Sequence, residues 1–235
     1  MKALLLAAGL GTRLRPVTDS VPKCLVPLHG RPLLDIWLDM LVAAGVGPLL
    51  VNMNYLAEQV RAFIESHPYR EQLHAVFEEN LLGTAGTLLK NRDFFGNEPL
   101  MLVHADNLSR FDVQAFITRH KERPKGCEIT MMTFATDSPR SCGIVELDGR
   151  GVVAGFHEKV TNPPGNLANG AVYIVEPSLF EMLAGLGTEF IDFSTEVLPR
   201  YVGRIYTFHN DRYHRDIGTM ASYEAALREY EQWRE

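Results

Sequence analysis

Short apolar runs alternate with amphipathic stretches along the first half of the chain, and no other feature limits the fold as tightly. "KALLLAAG", "PLLVNMNY" and "PLMLVHAD" have the length and apolarity of buried strands, and "LHAVFEE" alternates as a half-buried one does. Between them, Leu33 to Ala44 carries Leu34, Trp37, Leu38 and Leu41 at helical spacing, with Pro32 in front and Gly45 behind. "LAEQVRAFIESH" sets Leu56, Val60, Phe63 and Ile64 on one side of a second helix, and "TAGTLLKNRDFF" reads as a third. Strands separated by helices pair in parallel, and the helices cover both faces of the sheet. The second half changes character: "EITMMTFAT", "GIVELDGRGVVAGFHEK" and "GAVYIVEP" are closely spaced strands joined by glycine turns. "MASYEAALREYEQWRE" is a polar-faced helix. No repeat, low-complexity stretch or interdomain linker interrupts the pattern, so one α/β domain over residues 1–235 is expected, with an elaborated C-terminal half.

The first sixteen residues, "MKALLLAAGLGTRLRP", also have the look of a secretory leader. That reading fails on pattern: Gly9 breaks a short apolar core, and Arg13 and Arg15 stand where small cleavage-site residues belong. A buried strand running into a glycine loop is expected instead. The net charge of −6 gives no excess of basic side chains to neutralise phosphates, so no nucleic-acid partner is expected. No apolar run approaches the ~20 residues of a membrane-spanning helix. Cys24, Cys127 and Cys142 are an odd number without metal-site spacing, as for small buried thiols in a reducing, cytoplasmic compartment.

In open α/β sheets, ligands bind beyond the carboxyl ends of the strands. After the first strand come Gly9-Leu10-Gly11-Thr12-Arg13. The third glycine of a dinucleotide fingerprint would fall at Leu14, and no Lys-Ser/Thr pair completes a P-loop. Two glycines still let backbone N–H groups approach a ligand, and Arg13 adds a fixed charge, an arrangement that suits a triphosphate. A plain strand-to-helix turn is the alternative. Lys23 is a second cation, and Asp106 and Asp216 stand where carboxylates could hold Mg2+ or simply cap turns. Glu158-Lys159 and Asn169-Gly170 could bind a sugar and its phosphate, or form a surface ion pair and a tight turn. No HExxH spacing points to zinc, and no G-x-S-x-G elbow points to a serine hydrolase.

The order AAGLGTRLRPVT, PKCLVPLHGRPLL, LLGTAG, HAD, GFHEKV, NGAVYI and RDIGT resembles the sugar-phosphate nucleotidylyltransferases, from Lys2 to about Tyr223. The resemblance implies a Rossmann-like, mostly parallel (mixed) sheet with helices on both faces. It implies a nucleotide-binding half over about 1–110 and a sugar-phosphate-binding half over about 111–235. It also implies transfer of a nucleotidyl group from a nucleoside triphosphate to a sugar 1-phosphate. Ala8, Gly9, Gly11 and Thr12 would cradle the triphosphate, with Glu79, Gly83 and Thr84 near the base. Arg13 and Lys23 would be catalytic, and Asp106 and Asp216 would hold Mg2+. Gly143, Glu158, Lys159 and Asn169 would bind the sugar phosphate. Leu82-Gly83-Thr84-Ala85-Gly86 is similar to the segment of mannose- and heptose-1-phosphate guanylyltransferases, which favours GTP. Uridylyl transfer to N-acetylmuramate 1-phosphate or another sugar 1-phosphate is an alternative, and a catalytically idle nucleotide-sensing domain of the same fold is another. A homodimer is compatible with the sequence, with no surface assigned to it. Two departures bear on the site: His104-Ala105-Asp106 replaces the usual metal-strand residues, and Cys142-Gly143 replaces Tyr-Gly. No second catalytic domain is expected.

Overall fold

The first strand, Ala3–Leu6, is buried at every position, as a run of alanine and leucine flanked on both sides must be. A computed structural model describes residues 1–233. The chain divides into two units, each with its own core. The first comprises Met1–Leu81, Val103–Arg110 and the segment from Tyr213 onward; the second comprises Leu82–Leu102 and Phe111–Arg212. The two units alternate along the chain. Leu82–Leu102 groups with later residues, and the chain returns to the first unit at Tyr213.

In the first unit Ala3–Leu6 runs parallel to Leu49–Met53, which runs parallel to Leu73–Phe77. The end of strand Leu100–His104 lies along the other side, where the Ala105 N–H donates to Leu6 O at 3.1 Å. Helix Leu33–Ala43 buries Leu34, Trp37, Leu38 and Leu41, the stripe its sequence foretells, and the chain turns at Gly45 in the left-handed region. Helix Ala57–Ser66 starts one residue later than expected, because Leu56 is itself left-handed. Asn107–Arg110 pairs antiparallel with Tyr213–Asp216, setting Asp216 opposite Asn107. Helix Met220–Tyr230 follows, capped reciprocally by Thr219 and Ser222. Its Tyr223, Ala226 and Tyr230 pack with Leu14, Val26, Leu28, Leu33, Leu108 and Ile217, and the Tyr223 hydroxyl donates to Pro27 O. The C-terminal helix therefore buttresses the segments that follow the glycine loop. Arg234 and Glu235, included in the expected helix, lie outside the described residues.

In the second unit Ile129–Ala135 runs antiparallel to Leu167–Val175 and parallel to Ile205–His209. Leu167–Val175 also meets Gly143–Leu147, which pairs antiparallel with Val153–Glu158. "TAGTLLKNRDFF" forms two helices, Gly83–Lys90 and Arg92–Phe95, broken at Asn91, whose side chain donates back to Thr87 O. The strands form the mixed, mostly parallel α/β sheet with helices that was expected. Its parallel register is plainest in the first unit, and the closely spaced strands of the second supply the antiparallel pairs.

The three cysteines are unbridged; Cys24 and Cys127 are buried and Cys142 is half-buried. Burial pushes the Cys24 thiol up to about 12, so it is inert at neutral pH. Among the described residues no helix is long and apolar enough to cross a membrane.

His120, on helix Val113–Lys121, has its Nδ1 at 2.7 Å from the Thr130 hydroxyl and its Nε2 at 3.1 Å from Glu176. Arg123 also pairs with Glu176, so that carboxylate is already neutralised. Burial, with the nearby Arg123 charge, then lowers the His120 pKa to about 3. The unfolded chain binds the proton more readily, so stability is full above the ordinary histidine range and falls with pH below it. Thermal melts are expected to lose up to ~1.4 kcal/mol per pH unit below about 6 from this residue. His120→Asn should flatten that slope; an unchanged slope would contradict the assignment.

Candidate functional site

The glycine loop is fixed by its own backbone conformation. Gly11 is left-handed (φ 63°), and a Cβ there would come within 2.8 Å of Thr18 Cγ2 and 3.2 Å of Lys23 Cβ. Thr18 Oγ1 donates to Gly11 O at 2.7 Å, tying the loop to the turn ahead of Lys23. Gly9, Thr12 and Arg13 are exposed, while Ala8 is buried.

Lys23 is 6% exposed, an unusual position for an ammonium unless it is paired. Its Nζ donates to Asp106 Oδ2 at 2.6 Å and lies 3.7 Å from Asp216 Oδ1. Asp106 hangs from the loop beyond strand Leu100–His104, where Trp37 Nε1 anchors the next residue by donating to Asn107 O at 2.7 Å. Asp216 is brought alongside by the Asn107–Asp216 pairing. Burial by itself would raise the Asp106 pKa, but the Lys23 charge, then that of His104, and after them the Lys23 hydrogen bond and the backbone hold it below the ordinary carboxylate value. Asp106 is therefore ionised at neutral pH. Burial keeps neighbouring His214 neutral, lowering its pKa to about 3, and its Nδ1 lies 2.5 Å from the Ser109 hydroxyl. A Cβ on Gly218 would come 2.8 Å from Asp216 Oδ2 and 3.3 Å from an Arg13 guanidinium nitrogen. Arg13, Lys23, Asp106 and Asp216 thus converge within the first unit. The sequence reading singled out no role for Gly218, although it lies in the RDIGT segment.

In the second unit, Glu158 faces Gly143 across the antiparallel pair. A Cβ at Gly143 would lie 2.6 Å from Glu158 Oε2 and 2.8 Å from the Phe156 ring, so the glycine makes room for the carboxylate. Lys159 adopts φ 49°, a costly backbone for a residue with a long side chain. Its N–H donates to Cys142 O at 3.1 Å and its Nζ lies 3.2 Å from Glu158 Oε1. Asn169 sits at a break in strand register, where its Oδ1 accepts from the Ala171 N–H and its Nδ2 donates to the Tyr173 hydroxyl at 2.7 Å. Ala168 pairs with Ile144, which carries Asn169 towards Gly143. Gly143, Glu158, Lys159 and Asn169 are thus one neighbourhood.

Glu79 is exposed at the end of the first unit's edge strand, and Gly83 and Thr84 belong to the second. Gly83 is left-handed (φ 73°), and a Cβ there would lie 2.5 Å from Ile191 O; one on Gly86 would lie 2.3 Å from Glu189 O. The Ala85 and Gly86 N–H groups both donate to Ile191 O, and the Ile191 N–H donates to Leu82 O. The Thr84 hydroxyl accepts from the Phe193 N–H at 2.7 Å. The glycines of this segment thus serve a close approach of the chain to itself.

Over residues 2–233 the chain matches the nucleotidyl transferase family model. The chain belongs to the nucleotidyl transferase family. It is 29% identical over 97% of its length to the UTP–glucose-1-phosphate uridylyltransferase of Synechocystis, covering 63% of that protein. It is 30% identical over 92% of its length to the mannose-1-phosphate guanylyltransferase of Mycobacterium tuberculosis, covering 61% of it. The chain therefore spans a little under two thirds of the curated relatives it matches. Among solved structures it is similar to HddC from Yersinia pseudotuberculosis complexed with GMP-PN. The TM-score is 0.81 at 23% identity, covering 97% of this chain and 99% of that one. A Bacillus anthracis chain assigned as a glucose-1-phosphate thymidylyltransferase gives a TM-score of 0.87 at 19% identity, covering 97% and 94%. These likenesses agree with the fold of the nucleotidyl transferase family.

Proposed function

We propose that this nucleotidyl transferase joins a nucleoside triphosphate, GTP in preference, to a sugar 1-phosphate and releases pyrophosphate. The observation that carries the reading is Lys23: a buried ammonium shared by Asp106 and Asp216, beside the glycine loop. Both reactants are anionic. Catalysis therefore requires neutralised charge and two oxygens held in line with phosphorus. A sugar-phosphate oxygen forms a bond to the α-phosphorus as the bond to the pyrophosphate oxygen breaks. The Ala8–Thr12 backbone would donate to the triphosphate, Arg13 would hold the departing pyrophosphate, and Lys23 would contact phosphate at the reacting centre. Asp106 and Asp216 both reach one ammonium, so they converge as a two-carboxylate set, which fits Mg2+. Bound there, Mg2+ would neutralise phosphate charge. Lys159 would bind the sugar phosphate, and Glu158, Asn169 and the Gly143 backbone would meet the sugar hydroxyls. The base contacts fall to Glu79 and to the backbone about Gly83 and Thr84, and GTP is favoured by the Leu82–Gly86 segment.

Pyrophosphate release measured with Mg2+ across five nucleoside triphosphates and a panel of sugar 1-phosphates tests this reading. The expected result is one productive pair containing GTP; a productive UTP pair would overturn the base preference, and silence with every pair would overturn the activity. Two variants probe the substrate contacts. Gly143→Ala pushes against the Glu158 carboxylate and the Phe156 ring, so KM for the sugar phosphate should rise by about tenfold to a hundredfold, with a modest loss of melting temperature as the ring gives way. Gly218→Ala crowds Arg13 and Asp216, whose side-chain ends can shift without disturbing the fold; kcat should fall roughly tenfold or more. Wild-type kinetics in either variant would contradict the corresponding contact.

A further inference from the structure

Glu78 follows directly on the strand Leu73–Phe77, is 3% exposed, and takes no part in the chemistry described above. Three residues at the end of the neighbouring strand hold it. Its N–H donates to Met53 O at 3.0 Å, its carbonyl accepts from Asn54 Nδ2 at 2.7 Å, and its Oε1 accepts from Asn52 Nδ2 at 3.3 Å. Asn52, itself buried, turns its Oδ1 the other way and accepts from the Ala7 N–H at 2.7 Å. Ala7 is the first residue beyond strand Ala3–Leu6 and leads directly into Ala8 and Gly9. Three adjacent parallel strands are thus linked at their carboxyl ends by a polar chain that finishes on the glycine loop.

The direction of this chain is set by chemistry. A carboxylate only accepts, so the Asn52 amide must turn its NH2 to Glu78 and leave its oxygen for Ala7. Glu78 Oε2 is buried without a hydrogen-bond partner among the described residues. A buried carboxylate so poorly satisfied costs the fold more than it returns. Its benefit lies in what it does to Asn52.

We infer that Glu78 is a positioning residue. It fixes the orientation of the Asn52 amide, and through it the Ala7 N–H and the loop that receives the triphosphate. The inference rests on the proposed role of that loop. It predicts that donor–acceptor polarity, and not side-chain size, governs nucleotide binding at this pair. Asn52→Asp keeps the acceptor for Ala7 but opposes two carboxylates. Asn52→Asp combined with Glu78→Gln restores a donor between them, from Gln Nε2 to the new carboxylate.

The test measures KM and kcat for the productive nucleotide in the wild type, both single variants and the double variant, with the Ala7 amide resonance followed by NMR. Asn52→Asp is expected to raise KM for the nucleotide about tenfold with a smaller effect on kcat, and to shift the Ala7 amide. Glu78→Gln should stay near wild type, because Gln Oε1 can still accept. The double variant should recover KM, the resonance and the melting temperature, which two opposed buried carboxylates lower in Asn52→Asp. A double variant no better than Asn52→Asp would overturn the inference, as would an Ala7 resonance indifferent to all the substitutions. An Ala7 amide that follows the predicted pattern in a protein with no activity towards any nucleotide would support the polar chain and overturn the loop's proposed role instead.

Discussion

Lys23→Met is expected to lower kcat by roughly a thousandfold or more, the scale on which preorganised charge at a phosphoryl centre acts. The variant keeps the length and apolar stem of lysine, so the packing of Lys23 Cβ against Gly11 survives. What disappears is the charge between Asp106 and Asp216. With the ammonium gone, the largest force holding the Asp106 carboxyl below its ordinary pKa is lost, and the two carboxylates face each other without the charge that paired with both. Substrate binding should weaken as well, since both reactants are polyanions. Steady-state kinetics with a parallel melting curve check this. A folded variant retaining more than a tenth of wild-type turnover would remove Lys23 from the reacting centre.

Gly83→Ala should have the largest effect on stability. Two penalties coincide there: a left-handed backbone that an L side chain resists, and a methyl group 2.5 Å from the Ile191 carbonyl oxygen. That neighbour is backbone, held by the hydrogen bonds from Ala85 and Gly86, and cannot step aside as a side-chain tip can. A loss of about 3 kcal/mol or more is expected, lowering the melting temperature by roughly 10 °C. Calorimetry decides it. A change of a degree or less would mean that the helix start at Gly83 is free to move, contrary to the packing described.

The contrast between these variants shows what the sequence could convey. The first strand and its loop were legible because an apolar run ended by glycines is a local signal, and so is the stripe of helix Leu33–Ala43. Glu158 over Gly143 was half legible: both stood out as candidates, but only antiparallel register sets them face to face. The Lys23–Asp106 pair was not legible as a pair. The partners lie 83 residues apart, and a chain reveals residue type long before it reveals which distant segments meet. For the same reason the helix Met220–Tyr230 could be read as a helix but not as part of the first unit, whose core it completes through Tyr223 and Tyr230. Leu82–Gly86 carried a different ambiguity. A glycine that admits a ligand and one that admits another stretch of chain look identical in sequence, and here Ile191 lies against both Gly83 and Gly86. Buried Glu78 was not legible beside exposed Glu79, since adjacent glutamates just past a strand differ only in which way the backbone turns them.

Incorporation of radiolabelled pyrophosphate into nucleoside triphosphate, starting from a nucleotide sugar and Mg2+, tests the central claim most directly. It runs the proposed bond exchange backwards and requires attack at the same phosphorus. Label appearing in GTP from a GDP-sugar, in wild type but not in Lys23→Met, is the predicted result. A folded wild-type protein that binds the nucleotide sugar yet leaves it intact in the presence of pyrophosphate, across guanosine, uridine, thymidine, cytidine and adenosine sugars, would contradict the account.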